Sequence, residues 1–253
     1  MIYKRVAARL KAQDWLAITI EIGIVVIGVF IGTWVANWNQ ERAEKRDIAK
    51  LLDQMRPQLQ ETQRIGASQR LYYAAARRYA ETALAGWARN PKVSDSDFVI
   101  AAYQASQIVG NVTVGQNIAL ALGGDQVRKI DDVGLRNAVM RVILFDYQPI
   151  SVAAMLTRYR EDVRQIIPDS IQQRVRDECG DQRSADGFLV LPPTCAMMLR
   201  PAEAAASAAE LRAHPELVRE LRFHLAQVAS FIINVGGLDQ RVDDLNAKLD
   251  QRR

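Results

Sequence analysis

The chain has 253 residues, with 33 lysines and arginines against 29 aspartates and glutamates, and a formal charge of +4. Lys4, Arg5, Arg9 and Lys11 against Asp14 place +3 of that charge in residues 1–14, which leaves +1 for everything after them. The basic excess is a membrane-side cluster rather than a nucleic-acid face, so no nucleic-acid partner is expected, and the length suffices for one sizeable domain with its own core.

Residues 1–14 form a short basic segment with Ile2, Val6 and Leu10 on one helical stripe, either an amphipathic helix lying on the inner membrane surface or an ordinary signal-anchor head. From Trp15 to Ala36 there are 22 residues, and Glu21 is the only charged one. A helix of that length spans roughly 33 Å, enough to cross a hydrocarbon core of about 30 Å. Trp15 opens the stretch and Trp34 and Trp38 close it, as indole rings do at headgroup depth. A cleavable signal has an apolar core of only about 7–15 residues, so residues 15–38 are expected to be an uncleaved transmembrane signal anchor.

Gly28 and Gly32 form a GxxxG pattern, and Ala36 extends the small-residue row by a turn. Such rows let two helix backbones approach closely, although glycine is also simply common in membrane helices. Glu21 lies seven residues before Gly28, on the same face. A charge at mid-membrane depth costs about 2.5–3.5 kcal/mol, so Glu21 either joins a helix–helix interface or snorkels to the first headgroup layer.

The run EIGIVVIGVFIG followed by VANWNQER resembles the N-terminal signature of an uncharacterised bacterial family of single-pass membrane proteins. Glu21, Gly28, Trp38, Asn39 and Arg42 carry the match, with Ile20 where that family often has glycine. The segment ALALGGDQVRKIDDVGLRNAVMRVILFDY is similar to the same family's middle region. The resemblance covers about a third of the chain and implies topology; it implies no activity.

Basic residues are nearly balanced across residues 15–38, with Arg42, Lys45, Arg46 and Lys50 following closely. The short N-terminal tail favours a cytoplasmic N-terminus at the bacterial inner membrane, with residues 39–253 as a periplasmic helical bundle. Cys179 and Cys195 flank a turn-rich loop holding Gly180, Gly187, Pro192 and Pro193. They are either a disulfide suited to an oxidising compartment or two separate buried thiols.

An all-α domain is expected, built on long helices with coiled-coil-like packing. Ile48, Leu52, Met55 and Leu59, then Tyr72, Tyr73, Ala76, Tyr79, Ala83 and Trp87, keep a helical period up to a break at Asn90-Pro91, with a bend expected near Pro57 or Gly66. Ser94–Asp97 supplies caps for a helix ending near Gly110, and a short helix is expected to end at Gly123-Gly124. Asp131-Asp132 begins a run to about Ile167 that Pro149 would kink, Phe188–Leu191 has extended character, and residues 202–213 are alanine-rich and helical. Leu217, Leu221, His224, Val228, Phe231, Val235, Leu238, Val242, Leu245 and Leu249 follow a 4-3 spacing throughout and define a seam, for packing within the bundle or for assembly.

No GxSxG, HExxH, Walker loop or GxGxxG occurs, and neither His214 nor His224 stands at zinc-ligand spacing from the cysteines. No catalytic, cofactor or metal residue is assigned, and no cofactor is expected. The expected function is non-enzymatic: assembly with itself or with other membrane-protein subunits, in contact with the lipid bilayer. The alternative is a membrane-anchored small-ligand sensor acting through a partner.

Overall fold

The computed structural model describes residues 15–110 and 126–251. The basic segment at 1–14 and the helix expected to end at Gly123-Gly124 lie outside the described residues. The fold is all-α. Helix α1 runs from Trp15 to Trp87, and the chain divides within it into two compact units, Met1–Leu51 and Leu52–Arg253. The apolar character of the sequence ends at Trp38, so residues 39–51 are a charged continuation of the first unit.

Across residues 19–38 of the first unit the helix is apolar on nearly every side, and none of these residues is buried. Ile24, Val29 and Phe30 are exposed at 65%, 61% and 70%. A surface this apolar on all faces fits hydrocarbon, not water. Thr19 and Thr33, the hydroxyls in this stretch, donate back to the carbonyls of Trp15 and Phe30.

In the second unit α1 becomes one-sided. Leu52, Met55, Leu59, Tyr72, Tyr73, Ala76, Tyr79 and Ala83 are buried at helical spacing, and Trp87 is half-buried. The helix continues through Pro57. Gly66 serves close approach, since a Cβ there would meet Val235 Cγ1 at 3.0 Å. The C-terminus closes as a Schellman motif: Arg89 takes φ 55°, its N–H bonds Gly86 O at 3.1 Å, and Asn90 N–H bonds Ala85 O at 3.0 Å. Pro91 then prevents continuation.

Helix α2 (Asp95–Gln104) starts at Ser94, whose hydroxyl accepts from Asp97 N–H at 3.0 Å. It ends at Gln104, short of the expected Gly110, because the chain there turns into the interior rather than along a surface. Helix α3 (Val133–Ile143) is capped by Asp132, which accepts from Leu135 N–H at 2.9 Å. The long kinked run expected to reach Ile167 is instead broken. Asp146 accepts from Gln148 N–H at 3.0 Å in a side-chain turn, and 3₁₀ turns at Gln148–Ile150 and Ala153–Met155 precede α4 (Arg158–Ile166).

Helix α5 (Asp169–Cys179) leads into the antiparallel pair β1 (Gln182–Arg183) and β2 (Leu189–Val190), registered Gln182 to Val190 and turning through Gly187 at φ 82°. Helices α6 (Pro201–Ala213) and α7 (Glu216–Asp250) complete the chain. All ten seam positions of α7 are buried within this unit, against α3, α4, the 3₁₀ turns and α1. Arg56 to Asp250 at 2.6 Å, Gln63 to Asp243 at 2.6 Å and Arg70 to Asp239 align α1 antiparallel to α7. Trp87 donates to Leu211 O at 3.0 Å and Arg212 pairs with Asp95 at 2.9 Å, which ties α1, α2 and α6 together.

Candidate functional site

Two places in the chain concentrate polar groups where apolar surroundings make them expensive. The first is the face of α1 that carries Glu21, Gly28, Gly32 and Ala36. Glu21 and Ala36 are exposed, and nothing lies within 4 Å of a Cβ built at Gly28 or Gly32. The row is open to a backbone from outside the chain. Trp15, Trp34 and Trp38 are exposed at 64%, 68% and 43%, at the two ends of the apolar stretch.

The second place is the end of α2. This helix is buried from Phe98 to Gln104 on all sides, so its last carbonyls have no water to turn to. One other helix, α4, and the residues just past Gln104 close this end. Tyr159 donates to Ala102 O at 2.7 Å, Ser106 Oγ to Tyr103 O at 2.6 Å, and Arg160 to Ser106 O at 2.5 Å. Arg164 reaches Ser106 Oγ at 3.2 Å, Tyr103 Oη at 3.3 Å and Gln107 Oε1 at 2.9 Å. Cations suit the negative end of a helix dipole, and charged donors make the stronger hydrogen bonds.

The same centre holds the disulfide and two tyrosines of α1. Cys179 and Cys195 are bonded, with Cα atoms 5.5 Å apart, and Cys179 O accepts from the buried Gln104 amide at 2.6 Å. Two residues on, Asp181 accepts from Tyr72 Oη at 2.7 Å, while Tyr73 Oη donates to Val109 O at 2.5 Å. Burial, then the neighbouring Asp181 carboxylate, pushes the Tyr72 phenol well above its ordinary range. Burial also raises Asp181, against the pull of Tyr72 and Arg160, and lowers Arg160, helped by Arg164 beside it. Tyrosines that expensive to ionise are hydrogen-bond donors. Chemically, the cluster closes a buried helix end and holds the disulfide against α1.

His224 of the seam lies fully buried, with Nδ1 at 2.9 Å from Thr157 Oγ1 and its ring 5.8 Å from that of Tyr159. Burial, then the charge of Arg160, brings its imidazole down to about 4. His214 sits apart, bridging Glu216 at 2.8 Å, as a surface contact. Among the described residues no group of three or more His, Cys, Asp and Glu side chains is placed to hold a metal ion.

The sequence puts Glu21, Gly28, Gly32 and Ala36 on one helix face and offers Cys179 and Cys195 as a candidate disulfide; the structure makes that bond. It does not mark Arg160, Arg164, Tyr103, Gln104 or Asp181. The available signal was the polar cluster Gln104, Ser106 and Gln107 directly after an uninterrupted apolar run, a helix end with nothing of its own to close it. These observations define a class: an all-α chain with one terminal apolar span and a disulfide-bonded helical bundle. Comparison with family models, with curated proteins and with solved structures finds no match.

Proposed function

We propose that the protein is a non-enzymatic single-pass protein of the bacterial inner membrane whose helical domain serves assembly, with further copies of itself or with a larger membrane complex. In this reading residues 15–38 span the bilayer, residues 1–14 lie in the cytoplasm and residues 39–253 lie in the periplasm. The observation that carries it is the bare face of α1, where Gly28 and Gly32 meet nothing and Glu21 shares their side of the helix. An acid in hydrocarbon gains most from a polar partner on a second helix, and the glycines let that helix come close. The Cys179–Cys195 bond favours an oxidising compartment for the bundle, and the resemblance of the N-terminal run to a single-pass family agrees with one span.

The mass of the full chain in a mild detergent tests this directly. An assembly is expected for the wild type, and dissociation for Gly28→Leu, which fills the groove, and for Glu21→Ala, which removes the polar contact. A wild-type monomer overturns the reading. Protease access to the bundle in intact and in opened cells tests the orientation separately.

A second reading, a ligand sensor, draws on an open cleft of about 570 Å³ between α3 and α7, lined by Asn137, Arg141, Leu144, Phe145, Asn234 and Arg241. Arg141 is held by Asp244, and Arg241 stacks over Phe145 at 5.0 Å, so both cations there are already engaged. A ligand at 100 times its dissociation constant would add about 2.7 kcal/mol to stability, which a thermal-shift screen of small metabolites would detect.

A further inference from the structure

The exit of the apolar stretch carries a ladder at helical spacing. The indoles of Trp34 and Trp38 stack 6.4 Å apart and within 6° of parallel, and the Arg42 guanidinium lies 3.7 Å from the centre of the Trp38 ring. Stacking engages the face of the guanidinium and leaves its in-plane N–H donors free, in the fork that matches a phosphate. No carboxylate competes from the helix itself, because the neighbours at three and four residues are Trp38, Asn39, Lys45 and Arg46. Arg46 turns its own Nε onto Arg42 O at 3.3 Å.

Depth agrees with that chemistry. Arg42 Cα stands six residues past Ala36, roughly 9 Å along the axis, and its stacking on Trp38 brings the charge back by about one turn. The guanidinium then sits within the polar layer of roughly 5–8 Å that flanks the hydrocarbon core. Around the helix, Gly32 and Ala36 lie about 160° from Trp34 and Trp38, so a helix packed on the small-residue face leaves the ladder turned to lipid.

We propose that Trp34, Trp38 and Arg42 form a site for the phosphodiester of a phospholipid headgroup, with Arg42 taking the phosphate and the two indoles flanking the glycerol and upper chains. The site fixes the depth and rotation of the span. It rests on residues 15–38 crossing a bilayer, and not on what packs against the other face.

The test uses the full chain purified in neutral detergent supplemented with phosphatidylcholine and phosphatidylglycerol, with each bound lipid quantified separately per chain by mass spectrometry. Arg42→Gln and Trp38→Leu are each expected to retain less than half the phosphatidylglycerol of the wild type. Arg64→Gln, an equal loss of charge on the bundle, is expected to retain all of it. Equal retention by Arg42→Gln and the wild type overturns the inference, as does an equal loss in Arg64→Gln. Inorganic phosphate is expected to displace the lipid no better than chloride at matched ionic strength; selective displacement would mean a free-anion site and overturn the lipid assignment. Gly28→Leu separates this inference from the assembly reading. It is expected to lose self-association and keep its lipid, and loss of both together would leave the ladder with no site of its own.

Discussion

Among the described residues two helices are long enough, and over 18 residues apolar enough, to cross a membrane: α1 near its start, and α7. Mean hydropathy over that stretch is 2.0 in α1 and 1.2 in α7, and their surroundings separate them further. In α7 a third of that stretch is buried within the chain, and the buried third is the seam. In α1 none is buried, and the apolar residues point in all directions. A helix that hides one stripe in protein and shows charge elsewhere belongs to a bundle, whereas one apolar all round needs lipid. Periodicity tells the two apart as well as total hydrophobicity does.

The largest expected effect sharpens that contrast inside α7 itself. Phe231 is fully buried against Tyr73, with ring centres 4.8 Å apart, whereas Ile233, two residues on, is 73% exposed. Phe231→Ala is expected to cost about 3–5 kcal/mol of unfolding free energy in guanidinium melts, and Ile233→Ala less than about 0.5 kcal/mol. Equal costs would mean the seam is not the buried face. Next comes the disulfide. Replacing Cys179 and Cys195 by serine opens a loop of sequence separation 16 and is expected to cost about 3 kcal/mol in the same melts. Reductant is expected to reproduce that loss in the wild type and to leave the variant unchanged.

The contrast breaks if one substitution acts alike on both helices. Val29→Arg, at the centre of the α1 stretch, is expected to oppose membrane insertion by about 2.5 kcal/mol, read as the fraction resistant to alkaline extraction. Ile233→Arg on the open side of α7 is expected to leave that fraction unchanged. A shift of the same size from both would place α7 in lipid as well.

How far the sequence could be read follows from the same physics. The seam was legible because ten positions at 4-3 spacing admit one buried face, and Gly28, Gly32 and Glu21 were legible because a charge and two glycines stand out against aliphatics. The break between Ile143 and Arg158 was not, since Phe145, Ile150 and Met155 continue an apolar pattern that a helix or a string of turns would use equally well. Asp146, turning back onto Gln148 N–H, decides between them, and it looks like any surface acid. Arg160 and Arg164 stood in RYREDVRQI, a composition that reads as a solvated face. Their targets, the carbonyl of Ser106 and the side chains of Ser106, Gln107 and Tyr103, are over fifty residues away in sequence, and only tertiary packing brings them together.

His224 gives the smallest and most specific prediction, because it is the one polar side chain on the seam. Burial holds the folded imidazole down to about 4 from an ordinary 6.5, with Arg160 facing it and Thr157 hydrogen-bonded to Nδ1. The unfolded chain therefore binds the extra proton first as pH falls. The stability contributed by a neutral His224 is complete above about pH 6.5 and is lost on the way down to about pH 4. The slope should approach roughly 1.4 kcal/mol per pH unit within that window. His224→Leu continues the seam without a titrating group and is expected to abolish this part of the slope while leaving stability at neutral pH nearly unchanged. Chemical melts at stepped pH read both quantities. An unaltered slope in the variant would mean that His224 does not carry the acid sensitivity in this window.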